Sequence, residues 1–137
     1  MAGYSNTTLA KKLGIKTGFD ISLINAPEYY FQLFTDLPAE LTFPDNQVTQ
    51  KDFIHFFTKQ KEEYIAQLPL LKQQLKPKGM LWVSWPKKSS KIITDITEEI
   101  IRNYAIGIGL VDIKVCAIDE TWSGLKLVIP VKDRYTR

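Results

Sequence analysis

Three patterns in the sequence predict a three-layer α/β sandwich built on a mostly parallel sheet. Compact β-rich runs alternate along the chain with segments of helical periodicity. The run Met80–Trp85 is apolar on both faces, which is typical of an interior strand covered by helices on both sides. Two β-runs close the chain across a short connection that contains Gly124, which indicates a terminal antiparallel hairpin.

The individual elements follow from apolar spacing and from the positions of Pro and Gly. In the first half we predict a helix over Leu9–Leu13 that starts at Thr7 or Thr8 and ends at Gly14, a strand over Phe19–Ile24, a helix from Pro27 that carries Tyr30, Phe31 and Phe34, a very short strand over Leu41–Phe43, and a central strand over Asp52–Thr58. In the second half we predict a helix over Lys59–Lys76, which Pro69 either kinks or divides by starting a second helix and which Gly79 ends, and then the strand Met80–Trp85. A further helix is predicted to begin near Asp95, with Asp95 and Glu98 as a capping box, and to end around Gly107 and Gly109, before hairpin strands over Leu110–Ile118 and Leu125–Val131. The resulting order, β-α-β-β-α-β-α-β-β, requires right-handed crossovers.

Length and composition are those of one globular domain. The 137 residues are 45% hydrophobic and 24% charged, and a chain of this length can bury a real core, so we expect residues 1–137 to form a single domain. The single cysteine, Cys116, permits no internal disulfide and is expected to pack as a small hydrophobe. The N-terminus has no apolar signal region, and no run of 18 apolar residues occurs, which predicts a cytoplasmic protein without a membrane segment.

Positive charge is unevenly distributed along the chain. The 18 lysines and arginines exceed the 15 acids by three, which gives a formal net charge of +3. Six lysines follow one another without an intervening acid, namely Lys72, Lys76, Lys78, Lys87, Lys88 and Lys91. We therefore expect one edge of the domain to attract anions, whereas the small net charge makes nucleic acid an unexpected partner.

Three loops are predicted to share the edge at the carboxyl ends of the parallel strands, where ligands of such sheets bind. They are Asn25-Ala26-Pro27-Glu28, the loop Trp85–Lys91 and the hairpin tip Asp119–Gly124. The candidate ligand-binding residues are Asn25, Glu28, Trp85, Lys87, Lys88, Lys91, Asp119, Glu120 and Trp122. No catalytic set and no metal site is predicted, because His55 and Cys116 are single residues without ligand spacing. His55 is interpreted as a core residue, since its neighbours two positions away are phenylalanines.

Each of these groups has a structural alternative. The lysines and serines of Lys87–Lys91 can hold a phosphate or carboxylate at a helix N-terminus, or they can form a solvated basic loop. Asp119 and Glu120 can contact a ligand or only shape the hairpin, while Trp122 can fold back onto the core. Asn25, which precedes a proline by two residues, can cap a helix. Both interpretations stay open for each group, as does the isomer of the bond before Pro86.

The chain resembles a family of small bacterial proteins of unknown function. The segments that carry the resemblance are AGYSNTTLAKKLGIKTG, LINAPE, GMLWVSWPKK, TDITE and VDIKVCAIDETWSGLKLV, which together span nearly the whole chain. The resemblance implies a bacterial, cytoplasmic, single-domain protein, and it implies no particular activity.

A more distant resemblance is to the Rossmann-like class I methyltransferases that use S-adenosylmethionine, and it is carried by LKPKGMLWVSWPK with the helix and hairpin that follow. It implies a sheet of order 2-1-3-4-6-5 whose last strand is antiparallel. Two segments depart from the family's pattern. Asn25-Ala26-Pro27-Glu28 stands in place of a glycine-rich turn, with no N–H at Pro27, and the region of the second and third strands is compressed into Leu37–Lys51.

Three classes of function are consistent with these patterns. The first is a non-catalytic or regulatory module that binds an anionic small molecule or a protein segment at the predicted edge, without an identified cofactor. The alternative is a divergent methyltransferase-like or other nucleotide-cofactor group-transfer enzyme, with Asp119 or Glu120 as base and Lys87 or Lys91 stabilising charge. Nucleic-acid binding through the lysines of the Lys72–Lys91 region ranks third. A homodimer formed through the terminal edge strand is also open.

Overall fold

A computed structural model describes residues 7–135, and within them the chain forms one five-stranded mixed sheet with helices on both faces. The part of the N-terminal family segment that precedes Thr7 lies outside the described residues. The elements in chain order are α1 (Leu9–Leu13), β1 (Ile21–Ile24), β2 (Lys51–Phe57), α2 (Lys61–Gln73), β3 (Leu75–Pro86), α3 (Glu98–Gly107), β4 (Val111–Ala117) and β5 (Trp122–Val128). Single 3₁₀ turns occupy Tyr30–Leu33, Lys88–Ser90 and Val131–Asp133.

The strand order across the sheet is β1-β2-β3-β5-β4. β1, β2 and β3 are parallel, and β5 runs antiparallel to both of its neighbours, as the predicted terminal hairpin requires. The predicted six-strand order 2-1-3-4-6-5 is wrong, because Leu41–Phe43 does not form a strand. Thr42 makes only an isolated parallel bridge to Asp20, and Pro44, which has no N–H to donate, follows directly.

Two hydrophobic clusters lie on opposite faces of the sheet, which confirms the layered α/β arrangement. On the face covered by α2 and α3, the core includes Ile54, Phe56, Leu81, Val83, Leu125 and Leu127 from the strands. On the other face, here called the α1 face, the core includes Leu13, Tyr30, Phe53, Phe57, Trp82 and Trp122. The short α1 and the Tyr30 turn cover only part of this second face.

The segment after Pro27 forms one 3₁₀ turn and not the predicted helix. The backbone N–H of Tyr30 donates to the Pro27 carbonyl, and the chain is already extended at Phe34. The single turn lets Tyr30 bury its ring on the α1 face, where its hydroxyl contacts the side chain of His55 at 2.9 Å.

The prediction that Gly79 ends a helix is wrong, because Gly79 lies inside β3. α2 ends at Gln73, and β3 begins two residues later. A Cβ atom on Gly79 would come within 2.9 Å of the Lys51 carbonyl oxygen on β2. Glycine is therefore needed here because β2 and β3 approach closely at a point where their register shifts.

The predicted capping box of Asp95 and Glu98 is also wrong. α3 begins at Glu98, and its N-cap is Thr97, whose side chain accepts a hydrogen bond from the Ile100 N–H at 3.2 Å. The Asp95 carboxylate instead accepts a hydrogen bond from the backbone N–H of Lys61 at 2.7 Å. Asp95 thus satisfies a free N–H at the start of α2, 34 residues earlier in the chain.

Replacing Asp95 by alanine should destabilise the domain by about 1 kcal/mol, the usual cost of losing a carboxylate or hydroxyl at a helix N-terminus. The matched variant Thr97→Ala removes the cap of α3 and should cost a similar amount. Hydrogen exchange of the two helices distinguishes the sites, since Asp95→Ala should accelerate exchange in the first turn of α2. Faster exchange confined to α3 in that variant would contradict the assignment.

None of the helices formed by residues 7–135 combines the length and the apolar composition needed to cross a membrane.

Candidate functional site

A crevice lies at the carboxyl ends of β1 and β2, where a sheet of this kind can bind a ligand. After β1 the chain passes to the α1 face, where Tyr30 packs, and after β2 it passes to the opposite face, where α2 packs. Because the two connections leave in opposite directions, a gap opens between the ends of neighbouring parallel strands. Ligands of open α/β sheets collect at such a point.

A cavity of about 360 Å³ occupies this crevice. Its lining residues are Asn25, Phe57, Thr58, Lys59, Gln60, Glu63 and Trp122. A volume of this size falls within the range of small-molecule sites. The lining combines a carboxylate, an ammonium group, two amides and two aromatic rings, so it offers both polar recognition and an apolar wall.

Asn25 shapes the end of β1. Its φ of 58° lies in the left-handed region, which asparagine tolerates better than most residues and which turns the chain sharply away from the strand. Its side-chain amide donates to the carbonyl oxygen of Phe57 at 3.1 Å and to the Glu63 carboxylate at 3.2 Å. Asn25 therefore does not cap a helix but joins the ends of β1, β2 and α2 around the cavity.

Sequence reasoning missed Glu63, as it missed the neighbouring lining residues Phe57, Thr58, Lys59 and Gln60. Glu63 lies in the first turn of α2, where the helix dipole favours a negative charge. One carboxylate oxygen accepts the Asn25 amide, and the other accepts the Thr58 hydroxyl at 2.8 Å. The two adjacent glutamates at the start of α2 are visible in the sequence. The contact between Glu63 and Asn25 is not, because the two residues are 38 positions apart.

Trp122 forms the wall of the cavity and not a free stacking surface. Its side chain is buried and meets the Phe57 ring edge to face, with 5.1 Å between the ring centroids. Trp85 is likewise buried, in the core on the α2–α3 face. The interpretation that Trp122 folds back onto the core therefore agrees with the structure, although one side of its ring still lines the crevice.

Lys88 and Lys91 line a second, separate groove of about 620 Å³. Its other lining residues include Trp85, Pro86, Ile92, Ile93, Thr94, Ile96, Thr97 and Glu98, so it runs toward the start of α3. The bond before Pro86 is trans. The loops that we predicted to share one edge do lie at that edge, but they line two different depressions.

Asp119 has a structural role at the hairpin tip. One of its carboxylate oxygens accepts the backbone N–H groups of Thr121 and Trp122, and the other accepts the Tyr29 hydroxyl at 2.9 Å. Burial and the neighbouring Asp119 charge raise the pKa of Tyr29. The backbone N–H of Lys87 donates to the Thr121 carbonyl, so the hairpin tip is tied to the loop after β3.

The two remaining candidate residues, Glu28 and Glu120, are exposed. Neither lies among the residues that line the crevice or the second groove. Ligand binding by them stays a prediction.

His55 lies in the core, within a buried chain of polar groups. Its Nδ1 contacts the Tyr30 hydroxyl at 2.9 Å, and its Nε2 contacts the Ser84 hydroxyl at 2.7 Å. Burial lowers the pKa of His55 to about 3, so the ring is neutral at physiological pH. The trio connects β2, β3 and the Tyr30 turn, and none of its members lines the crevice.

The basic run of the sequence does not form one surface. Lys72 donates to the Ile108 carbonyl at 2.7 Å, and Lys76 pairs with both Asp20 and Asp52 near the opposite edge of the sheet. Only Lys87, Lys88 and Lys91 remain at the carboxyl edge. The predicted anionic ligand site is therefore supported by fewer lysines than the sequence suggested.

Comparison with solved structures identifies the fold. A magnesium protoporphyrin IX methyltransferase from Synechocystis PCC 6803, solved with bound S-adenosylhomocysteine, has a TM-score of 0.55 and 11% identity, over 89% of this chain and 78% of that one. A ribosomal protein methylase from Lactobacillus delbrueckii subsp. bulgaricus has a TM-score of 0.57 and 10% identity, over 87% and 73%. A protein of the NADB-Rossmann superfamily from Streptococcus agalactiae has a TM-score of 0.54 and 8% identity, over 91% and 69%.

No protein-family model and no curated protein matches the sequence. The resemblance to a bacterial family of unknown function therefore stays a prediction. At these low identities the structural likeness shows the fold alone. The domain has a Rossmann-like α/β fold, and its structural neighbours are largely methyltransferases.

Proposed function

We propose that this domain binds an adenosyl ligand of the S-adenosylmethionine type in the crevice between the ends of β1 and β2. The observation that carries the proposal is the placement of a polar cavity of about 360 Å³ where the connections after β1 and β2 diverge. The fold shared with methyltransferases supports this choice of ligand, as does the S-adenosylhomocysteine bound in one of them. This function corresponds to the alternative that the sequence left open, and it takes precedence over a purely anionic ligand.

The charges of the crevice suit the amino-acid end of such a ligand. The Glu63 carboxylate can accept hydrogen bonds from an ammonium group, and Lys59 can pair with a carboxylate. A phosphate would instead meet the negative charge of Glu63. Asn25 and Thr58 already hold that carboxylate in position, so little ordering is required when a ligand binds.

The apolar wall of the crevice suits the nucleoside end. Phe57 and Trp122 line it, and their edge-to-face packing holds both rings in place. The left-handed backbone of Asn25 supplies the sharp turn at the end of β1 that a glycine would otherwise permit. Pro27 contributes no N–H to the ligand, so binding must rely on side chains to a greater extent. S-adenosylmethionine, when bound, supplies an activated methyl group.

Calorimetric titration with S-adenosylhomocysteine tests the proposal, with Glu63→Gln as the variant. The amide keeps the size of the side chain but removes its charge, and we expect affinity to fall by about tenfold or more, since hydrogen bonds to charged groups contribute roughly 1.5–3 kcal/mol. The matched control is Glu62→Gln, which alters the adjacent acid of the same helical turn. Glu62 lies outside the crevice, so its replacement should leave affinity unchanged.

A thermal-shift screen with S-adenosylmethionine, NAD, ATP and inorganic phosphate shows which class of ligand stabilises the protein. A ligand at about 100 times its dissociation constant raises stability by about 2.7 kcal/mol, which is readily visible. The proposal fails if the adenosyl compounds produce neither heat nor a thermal shift. Equal losses in Glu62→Gln and Glu63→Gln would show that binding occurs elsewhere.

An anionic ligand or acidic protein segment in the second groove is the other candidate. Lys88 and Lys91 flank this groove beside the first turn of α3, where backbone N–H groups also favour negative charge. A thermal shift with phosphate or ATP that Lys88→Ala abolishes, without any shift from the adenosyl compounds, would favour this function.

A further inference from the structure

Lysines from several elements converge on the uncovered part of the α1 face, a grouping that the order of the sequence does not show. α1 is held over this face by the Trp82 indole, whose N–H donates to the Leu13 carbonyl at 2.9 Å. In the sheet, Trp82 of β3 is the register partner of Lys126 of β5, so the two side chains lie on the same face. The sheet register places Lys114 and Lys126 on this face, and the charges of Lys12, Lys16 and Lys87 act on Cys116 or Lys126; these five lysines are here called the lysine face.

Two of these lysines stand directly opposite each other. Lys114 of β4 and Lys126 of β5 are register partners in the antiparallel hairpin. Like charges at such positions destabilise a sheet, because their side chains project from the same face a few ångströms apart. A pair of this kind is costly in the isolated protein, and an anion bound between the two ammonium groups would remove the cost.

The other lysines add to the same positive field. Burial lowers the pKa of Lys126, and the charges of Lys114 and Lys16 lower it further. Burial raises the pKa of the half-buried Cys116 thiol, while the charges of Lys12, Lys114 and Lys87 act against that rise. The charges of the other four lysines therefore act on Lys126 or on Cys116, which lie close together in the hairpin.

Within residues 7–135, none of the recorded ion pairs involves a lysine of this face. The ion pairs recorded within that range use Lys76 and Arg102 as their cations, and both lie away from the lysine face. Between the Lys114–Lys126 pair and the hairpin tip lie Cys116 and Gly124, which are register partners. The large apolar side chains at this point, Trp82 and Ile118, are buried, so they are not available to anchor a peptide or enter a membrane.

We propose that the lysine face binds the phosphate backbone of a nucleic acid. Lysines spread over a helix end and a two-stranded ribbon can each contact a different phosphate, and the counterions released by each contact add to the affinity. Because the large apolar side chains between them are buried, this partner is favoured over an acidic peptide. The backbone carries no sequence information, so we expect binding without sequence preference.

The test is fluorescence anisotropy with a short labelled RNA duplex at several salt concentrations. The double variant Lys114→Gln with Lys126→Gln should weaken binding by roughly tenfold at low salt, and it should reduce the salt slope by about 1 for each lysine that contacts a phosphate. The matched control is Lys61→Gln with Lys78→Gln, which removes the same charge from exposed positions outside the lysine face and should bind like the wild type.

Thermal melting of the same variants checks the fold. Removing the opposed pair relieves repulsion, so the Lys114 and Lys126 double variant should melt at the wild-type temperature or above it. Equal weakening in both double variants would overturn the proposal, since it would show an effect of net charge alone. No measurable RNA binding, or stronger binding to phosphatidylserine vesicles or to polyglutamate than to RNA, would overturn it as well.

Discussion

Acidification from pH 7 to pH 5 should lower the free energy of unfolding by about 2 kcal/mol through His55 alone. The ring is fully buried, and burial lowers its pKa from 6.5 to about 3. Below pH 6.5 the unfolded chain therefore takes up a proton that the folded chain does not accept until about pH 3. The stability that neutral His55 permits is complete above pH 6.5 and decreases steadily as the pH falls through this window.

Urea unfolding at pH 7, 6 and 5 measures the effect, with His55→Gln as the comparison. Glutamine cannot gain a proton in this range, so the variant should be less stable at pH 7 but should lose about 2 kcal/mol less on acidification. Asp20 does not interfere. A hydrogen bond from Thr42 lowers the pKa of its carboxyl, so its contribution is lost only below the unfolded value of 3.8. Parallel curves for the two proteins would rule out His55 as the acid-sensitive group.

Replacing Trp82 by alanine should destabilise the domain by about 3–5 kcal/mol, which is a large part of the stability of a typical domain. The indole is fully buried on the α1 face, and its N–H donates to the Leu13 carbonyl. The substitution therefore leaves a cavity under α1 and an unpaired carbonyl oxygen at the end of that helix. We expect the melting temperature to fall by more than about 10 °C.

Two further variants separate the causes of that loss. Trp82→Phe keeps most of the ring but removes the N–H, so it should cost about 1–3 kcal/mol, the price of an unsatisfied buried acceptor. Tyr135→Ala alters an aromatic side chain that is 78% exposed and should change stability by less than about 0.5 kcal/mol. A Trp82→Phe protein as stable as the wild type would show that the hydrogen bond to Leu13 does not hold α1 in place.

Local patterns were sufficient for most elements. The apolar run Met80–Trp85, the periodicity of α2 and the terminal hairpin all depend on residues that are close in sequence, and the structure contains each of them. The edge of the sheet at which a ligand is expected also followed from strand order, and the crevice lies there. Where local signals were weak, the predicted elements are shorter in the structure. The predicted strand Leu41–Phe43 is a single bridge, and the predicted helix after Pro27 is a single turn.

Local patterns did not predict contacts between residues that are distant in the sequence. Asp95 has the sequence context of a cap for the helix that follows it, yet it binds the N–H of Lys61 at the start of α2. Glu63 meets Asn25 because β1 and β2 are neighbours in the sheet. Glycine commonly ends a helix, but Gly79 instead permits two neighbouring strands to approach closely.

The sequence by itself determined the class of fold, because hydrophobic periodicity and the positions of Pro and Gly act over a few residues and specify helices, strands and turns. Only the tertiary structure decided which charges meet. The six lysines of the basic run separate, while Lys12, Lys114 and Lys126 come together, since strand order and register bring distant residues onto one face. Electrostatic fields add through space and not along the chain, so the charged surfaces emerged only from the fold.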